Sequence, residues 1–531
     1  MTKRERSWNL FYSVVLVIFA SIPYFLGYFT HGDTWQFTGF VFGVEDGNSY
    51  IAKMLLGSRG DWLFRTPYTS LPQSGVVAFL PYLLLGKFAA GVAIHEQMVA
   101  LFHLFRVFAT PIAVFATYQF VSLFVTSIWW RRWATILATA GGGLGWFLIL
   151  IGNSPWLGSL PLDFYSPETF GFLSYYGLPH LILARAFLLF GLSFYLQSIE
   201  TTKSGWIAGM FFLGLVLVQP ITILPAYAMI TIHLVLLIVK ESRGRNWQNI
   251  KPWLGAGLKI LLLSSPVVIY LGYSFTQDPF LSAWTSQNLI LSPNPLHYVI
   301  AYGLIMLPTV MGIRRVVLER NSRGLLLLGW VILFPLLAYA PFNLQRRLPE
   351  GIWVALLSLA AIGLQGWLGD NVKIERWVGR FLLSFGLLSS LLLIAAGMDV
   401  AIRPKEPAFR KFEEVEAFSW LNEEAEPNSV VLAAFHTGNA LPAWAPVRVV
   451  IGHGPESVDL EELEPQVDAF YDEKMTDAER LQFIRSHDVQ YVWYGPRENA
   501  LGSWNPARSD FLTLAYSYAD YKIYSVQSSH E

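Results

Sequence analysis

The sequence contains no cysteine among its 531 residues. Disulfides, thiolate metal sites and cysteine nucleophiles are therefore excluded. Charge is scarce as well: acidic and basic side chains make up 14% of the chain, and 37 Lys and Arg against 38 Asp and Glu leave a formal net charge of −1. Neutralising a phosphate backbone needs a basic excess, so nucleic acid is excluded as a partner. No glycine-rich loop follows a strand. The run GGGLGW at 141–146 lies inside an apolar segment, where it points to close helix packing and not to a nucleotide site. No internal repeat is visible. The basic N-terminus MTKRERSW leads into an apolar stretch without a small-residue cleavage site, which reads as an uncleaved first span.

What is present is apolar: 54% of the residues. Runs such as FYSVVLVIFASIPYFLGYF supply the roughly 20 apolar residues that cross a bilayer. Hydropathy marks candidate segments at 9–29, 75–94, 99–126, 133–153, 181–199, 205–220, 222–240, 254–275, 296–312, 324–340, 350–367 and 379–397. The basic loops at 127–133, 240–251, 313–324 and 371–380 should share the cytoplasmic side with the N-terminus. An even number of crossings must then precede Trp133. The segment 75–94 is weakened by Pro81, Gly86, Lys87 and Gly91, and is expected to stay at the interface. The expected fold class is a polytopic α-helical membrane protein, with about eleven transmembrane helices over residues 1–400, a long first outer loop at 30–98 and a soluble α/β tail at 401–531. The tail would lie on the outer face of the cell membrane.

In the tail, AFRKFEEVEAFSWLNEEA and DAERLQFIRSHD have helical spacing, while SVVLAAF, VRVVIGHG and VQYVWYG read as strands of a small three-layer domain. His436, Asn439, His453 and Glu456 then fall at strand ends, where open α/β sheets gather ligands, or else simply in glycine turns.

The first outer loop carries FGVEDGNSYIAKMLLGSRGDWLFRTPYTS at 42–70, dense in acids, aromatics and glycines. A transferase on the outer face has no nucleotide sugar or ATP to draw on, so it would take its group from a lipid-linked phosphate. It needs a base for the acceptor hydroxyl, cations for the departing phosphate and aromatic faces for sugar. Asp46 with Glu45 can supply the base. Arg346 and Arg347, a pair in an outer loop where the charge rule disfavours them, can bind the phosphate or merely lipid headgroups. Trp35, Tyr50, Trp62, Tyr68 and Tyr176 can hold the sugar. Further substrate-contact candidates are Asp61, Glu168, and the pair His180 and Arg185 where a span begins. Plainer roles compete: Asp46 as the N-cap of a helix from Gly47 to Gly57, Asp61 as a cap of WLF, Asp163 and Glu168 as solvated loop acids, and Asp278 as a turn former.

The stretch EDGNSYIAKMLLGSRGDWLFRTPYTS resembles the first outer loop of the GT-C membrane glycosyltransferases, especially family 39-like and aminoarabinose-transferase-like bacterial enzymes. An acidic pair, a tyrosine-containing helix and Gly-Asp-Trp map onto Glu45, Asp46, Tyr50, Gly60, Asp61 and Trp62. The later QRRLPEGIWVALLSLAAIG is similar to that family's basic outer loop opening a span. The resemblance implies inverting transfer of a sugar from a polyprenyl-phosphate donor to a glycan, lipid or protein acceptor. It also implies the first-loop aspartate as acid/base and, in some members, a divalent metal (Mg or Mn), which Asp46 would ligate. A transporter or flippase of lipid-linked substrates and a non-catalytic envelope scaffold are the alternatives.

Overall fold

The computed structural model describes residues 1–242, 248, 250–369 and 371–527; Arg243 and Arg245 of the basic 240–251 loop fall outside the described residues. Among the described residues, eight helices are long and apolar enough to cross a membrane: Lys3–Thr30, Ile94–Ser122, Pro179–Ile199, Pro220–Ser242, Lys251–Gln277, Leu296–Leu318, Gln345–Leu368 and Val372–Ile402. Lys203–Val218 and Gly324–Ala338 are shorter apolar helices. The chain is thus a polytopic helical membrane protein with a C-terminal sheet region.

Two hydropathy segments take other forms. The stretch expected to span at 133–153 is broken into the helices Ile128–Ala140 and Gly145–Leu150. The glycines between them let backbones meet: a Cβ on Gly143 would lie 1.9 Å from the Ala301 carbonyl oxygen. Asp163 accepts the Gly145 amide at 3.2 Å and a hydrogen bond from Ser389. The weak segment at 75–94 contains only the helix Leu80–Gly86, about 10 Å long at 1.5 Å per residue and too short to cross.

The chain divides into two compact units. One comprises Met1–Ile22, His103–Leu271 and Leu289–Ala396; the other joins Pro23–Phe102 and Gly272–Asn288 to the chain from Gly397 onward. The loop at 30–98 is therefore built into the same unit as the tail. Strand β1 (Trp35–Phe37) of the loop pairs antiparallel with β2 (Phe409–Lys411). The tail proper holds a five-stranded sheet in the order β4-β3-β5-β7-β6. β3 (Val430–Leu432) is parallel to β4 (Arg448–Val449) and to β5 (Val489–Tyr494); β7 (Tyr521–Val526) is antiparallel to β5 and to β6 (Leu512–Tyr518). The helices expected from AFRKFEEVEAFSWLNEEA and DAERLQFIRSHD form as Phe412–Glu424 and Asp477–Ser486, the latter opened by a Thr476/Glu479 capping box. Val430, Leu432, Phe470, Val492 and Tyr524 sit in one buried core.

Within the loop, the helix Val44–Ser58 crosses Leu80–Gly86 at backbone contact. A Cβ on Gly57 would sit 2.0 Å from the Leu83 oxygen, and one on Gly86 1.8 Å from the Met54 oxygen. No side chain there can yield. Gly86→Ala should cost about 1–3 kcal/mol by overpacking, read as a lower Tm of the detergent-solubilised protein and faster proteolysis of the loop; an unchanged Tm would show that this crossing is not tight.

Candidate functional site

The Val44–Ser58 helix starts because Gly43, at φ 57° and ψ 40°, turns the chain in the left-handed region that glycine tolerates. Glu45 and Asp46 consequently occupy the first turn, and Asp46 is not the N-cap that the sequence offered as its plain role. Both carboxylates lie near the positive end of the helix. The next turns are tied to the tail. Asn48 donates to the Asn439 side chain at 2.8 Å, and Ser49 to Glu456 at 2.7 Å. Lys53 Nζ lies 2.6 Å from Glu456 Oε1, with the two side chains 1% and 4% exposed. Thr66 donates to the other Glu456 oxygen at 2.7 Å, and the Phe79 ring faces Lys53 Nζ at 4.4 Å. Burial pushes the Glu456 carboxyl up, but the Lys53 ammonium, His453 and the bonds from Lys53 and Thr66 outweigh it and hold the group below its ordinary 4.5.

Above this buried pair the acids are open. Asp46 is 59% exposed, with Oδ1 3.4 Å from His453 Nε2. Glu45 Oε1 accepts the Gly454 amide at 2.9 Å. Tyr68 is fully buried and donates to the Asn439 carbonyl at 3.1 Å. Burial, reinforced by the charges of Glu456, Glu45 and Asp46, pushes its hydroxyl well up and keeps it a donor. Tyr68 therefore supports the acids from beneath and offers no open sugar face. Tyr50 stacks on Tyr82 at 4.6 Å. Asp61 caps no helix; it faces Arg65 at 3.7 Å, next to an exposed Trp62 under Lys87 Nζ at 4.3 Å. Asp278 is the N-cap of Pro279–Gln287, accepting the Leu281 amide at 3.1 Å, as a turn former should.

The other unit holds the remaining candidates. Arg346 and Arg347 lie in a single 3₁₀ turn, Gln345–Arg347, fixed where the Arg346 amide donates to the Ile290 carbonyl at 3.2 Å. Arg346 stacks over Tyr165 at 4.6 Å, and Arg347 Nε lies 3.7 Å from Glu168 Oε1. Neither Nε makes a hydrogen bond among the described residues. Glu168 and Asp163 are not solvated loop acids: they are 5% and 3% exposed. Arg185 donates to Glu350 Oε1 at 2.7 Å and to the Pro167 carbonyl at 2.6 Å, both within a buried pocket of protein. With Gly351 donating to the Glu168 carbonyl at 3.0 Å, this braces the arginine turn from below. His180 is the half-buried second residue of Pro179–Leu196. Tyr176 is buried against Phe172.

Magnesium or manganese takes about six oxygen-rich ligands. Among the described residues no three His, Asp or Glu gather closely enough to hold an ion. Asp46 and His453 stand together, but Glu45 is turned to a backbone amide. The expected metal cage at Asp46 does not fit these residues, and no step below runs through a metal.

The fold is similar to that of membrane glycosyltransferases of the GT-C type. Archaeal oligosaccharyltransferase AglB from Archaeoglobus fulgidus, in complex with an inhibitory peptide and a dolichol-phosphate, matches with a TM-score of 0.52 at 13% identity, over 93% of this chain and 70% of that one. Arabinofuranosyltransferase AftD from Mycobacteria matches with 0.51 at 12% identity, over 97% of this chain and 42% of that one. ArnT from Cupriavidus metallidurans, bound to undecaprenyl phosphate, gives 0.49 at 13% identity, over 98% of each chain. A further structure of the Archaeoglobus enzyme is a complex with Zn and sulfate. No protein-family model matches the sequence, and no curated protein matches it either.

Proposed function

We propose that the protein transfers a sugar from a polyprenyl-phosphate donor to an acceptor hydroxyl at the outer face of the cell membrane. The observation that carries this is the Glu45–Asp46 turn: it presents a carboxylate 59% exposed on a loop otherwise locked to the tail, in a chain with the GT-C fold. Asp46 takes the proton of the acceptor hydroxyl. The acceptor oxygen bonds to the anomeric carbon as the bond from that carbon to the phosphate oxygen breaks, so the configuration inverts and polyprenyl phosphate leaves. Arg346 and Arg347, half-buried in their basic turn, are assigned the binding of a lipid phosphate. Glu45 holds the acidic turn to the tail, and Trp62 and Tyr50 supply aromatic surface. The basic loops support an N-terminus inside and a tail outside.

The test reconstitutes the full-length protein in liposomes with polyprenyl-phosphate-linked [14C]mannose, glucose or N-acetylglucosamine, and a membrane glycan, lipid and protein extract as acceptor. Transfer from at least one donor, with release of polyprenyl phosphate, is expected. Release from none of them by folded protein would overturn the proposal, and donor lipid moving across the bilayer intact would favour a flippase. Arg346→Ala and Arg347→Ala should each raise the donor KM at least roughly tenfold, the value of one charge-assisted hydrogen bond. Lysine at either position should restore only part, since it keeps the charge and loses the planar fork.

A further inference from the structure

We infer that the C-terminal tail completes the site with His453, a positioning residue that holds the Asp46 carboxylate in its working orientation; this rests on Asp46 being the base. The imidazole lies between two acids. Its Nε2 lies 3.4 Å from Asp46 Oδ1 and its Nδ1 3.8 Å from Glu456 Oε1. Glu456 is in turn clamped by Lys53, Ser49 and Thr66. The ring thus adjoins a buried ion pair on one side and an exposed carboxylate on the other.

The ring is held far more firmly than the acid it faces. His453 is 6% exposed, and the Tyr68 ring lies against it at 5.4 Å. Ser457 Oγ accepts the backbone amides of Gly452 and His453 at 2.9 and 3.1 Å, and the Ser457 amide closes a turn on the His453 carbonyl at 2.8 Å. That turn is pressed onto the helix Phe435–Trp444, because a Cβ on Gly452 would lie 2.4 Å from the Gly438 carbonyl carbon. Glu45 fastens the same turn through the Gly454 amide. A carboxylate this exposed has several rotamers open to it, and a fixed donor at one oxygen selects among them. The carboxylate so oriented is the one proposed to take the acceptor proton. Orientation of this kind acts on the chemical step and not on donor binding, so it separates kcat from KM.

The experiment measures polyprenyl-phosphate release by the full-length protein in liposomes with the donor set above, for wild type, Asp46→Asn, His453→Ala and His453→Gln. Misplacing a catalytic group by about 1 Å costs on the order of a hundredfold. His453→Ala should lose kcat on that scale with donor KM unchanged, and His453→Gln, which keeps a donor at the position of Nε2, should recover much of it. Wild-type kcat in His453→Ala, while Asp46→Asn is inactive, would overturn the inference and leave the transferase reading standing. A loss in His453→Ala that glutamine does not rescue, or that falls on KM, would reduce His453 to a structural residue and likewise overturn it. Activity retained in Asp46→Asn would overturn the parent reading, and this one with it.

Discussion

Asp46→Asn is expected to slow sugar transfer by at least about a hundredfold, the lower bound for a general base, with little change in stability. Asparagine has the same shape but cannot take the acceptor proton. The structural cost is small because the side chain is 59% exposed and makes no cap. What is lost is a first-turn carboxylate at a helix N-terminus, worth about 0.3–1 kcal/mol. Rate and stability should therefore separate: kcat for polyprenyl-phosphate release collapses while the Tm moves little. A variant that turns over within a few-fold of wild type would remove Asp46 from the chemistry.

Glu456→Gln should have the opposite profile, with a large loss of stability first and activity falling as its consequence. The substitution leaves the Lys53 ammonium, 1% exposed, without its counter-charge. Removing one partner of a buried ion pair costs about 3–5 kcal/mol. Thermal unfolding followed by tryptophan fluorescence in detergent measures it, and a Tm equal to wild type would show that the pair does not hold loop to tail. Replacing both partners, Lys53→Met with Glu456→Met, should recover part of the loss. Recovery stays incomplete because Ser49 and Thr66 also give their hydroxyls to this carboxylate. The acid side follows by linkage. The Glu456 carboxyl is held below 4.5 in the folded chain, so its contribution is present above about pH 4.5 and fades as pH falls through that value toward the lowered one. Wild type should show this acid loosening, and Glu456→Gln should lack it.

The spans were legible because a bilayer demands long apolar runs and the sequence provides them. GGGLGW shows what hydropathy does not carry. Close packing at these glycines was readable, but the break in the helix depends on Asp163 and Gly386 receiving the freed amides, and neither is near in sequence. In the tail, three strands were read where the sheet has five. Leu512, Leu514, Tyr516 and Tyr518 alternate up to the Ala519–Asp520 turn, and Tyr521 and Ile523 alternate after it, so the period-2 signal for β6 and β7 was available. The acidic pair stood out because two carboxylates are unusual beside an apolar run. His453 was legible as a strand-end or turn histidine, but not as a neighbour of Asp46. Nothing local to His453 distinguishes it from a turn histidine, and its meaning comes from a residue some four hundred positions earlier. Arg185 was legible as costly inside an apolar segment, but not the carboxylate of Glu350 that compensates it.

The pairing of Lys53 with Glu456 spans 403 residues of sequence. At roughly 5–20 residues per second of synthesis, the ribosome needs on the order of 20–80 s to deliver the second partner after the first. For most of that interval the early acidic segment has neither β2 nor the 452–457 turn to settle against. Truncation anywhere before the tail would therefore leave the beginning of the protein unfinished along with its end.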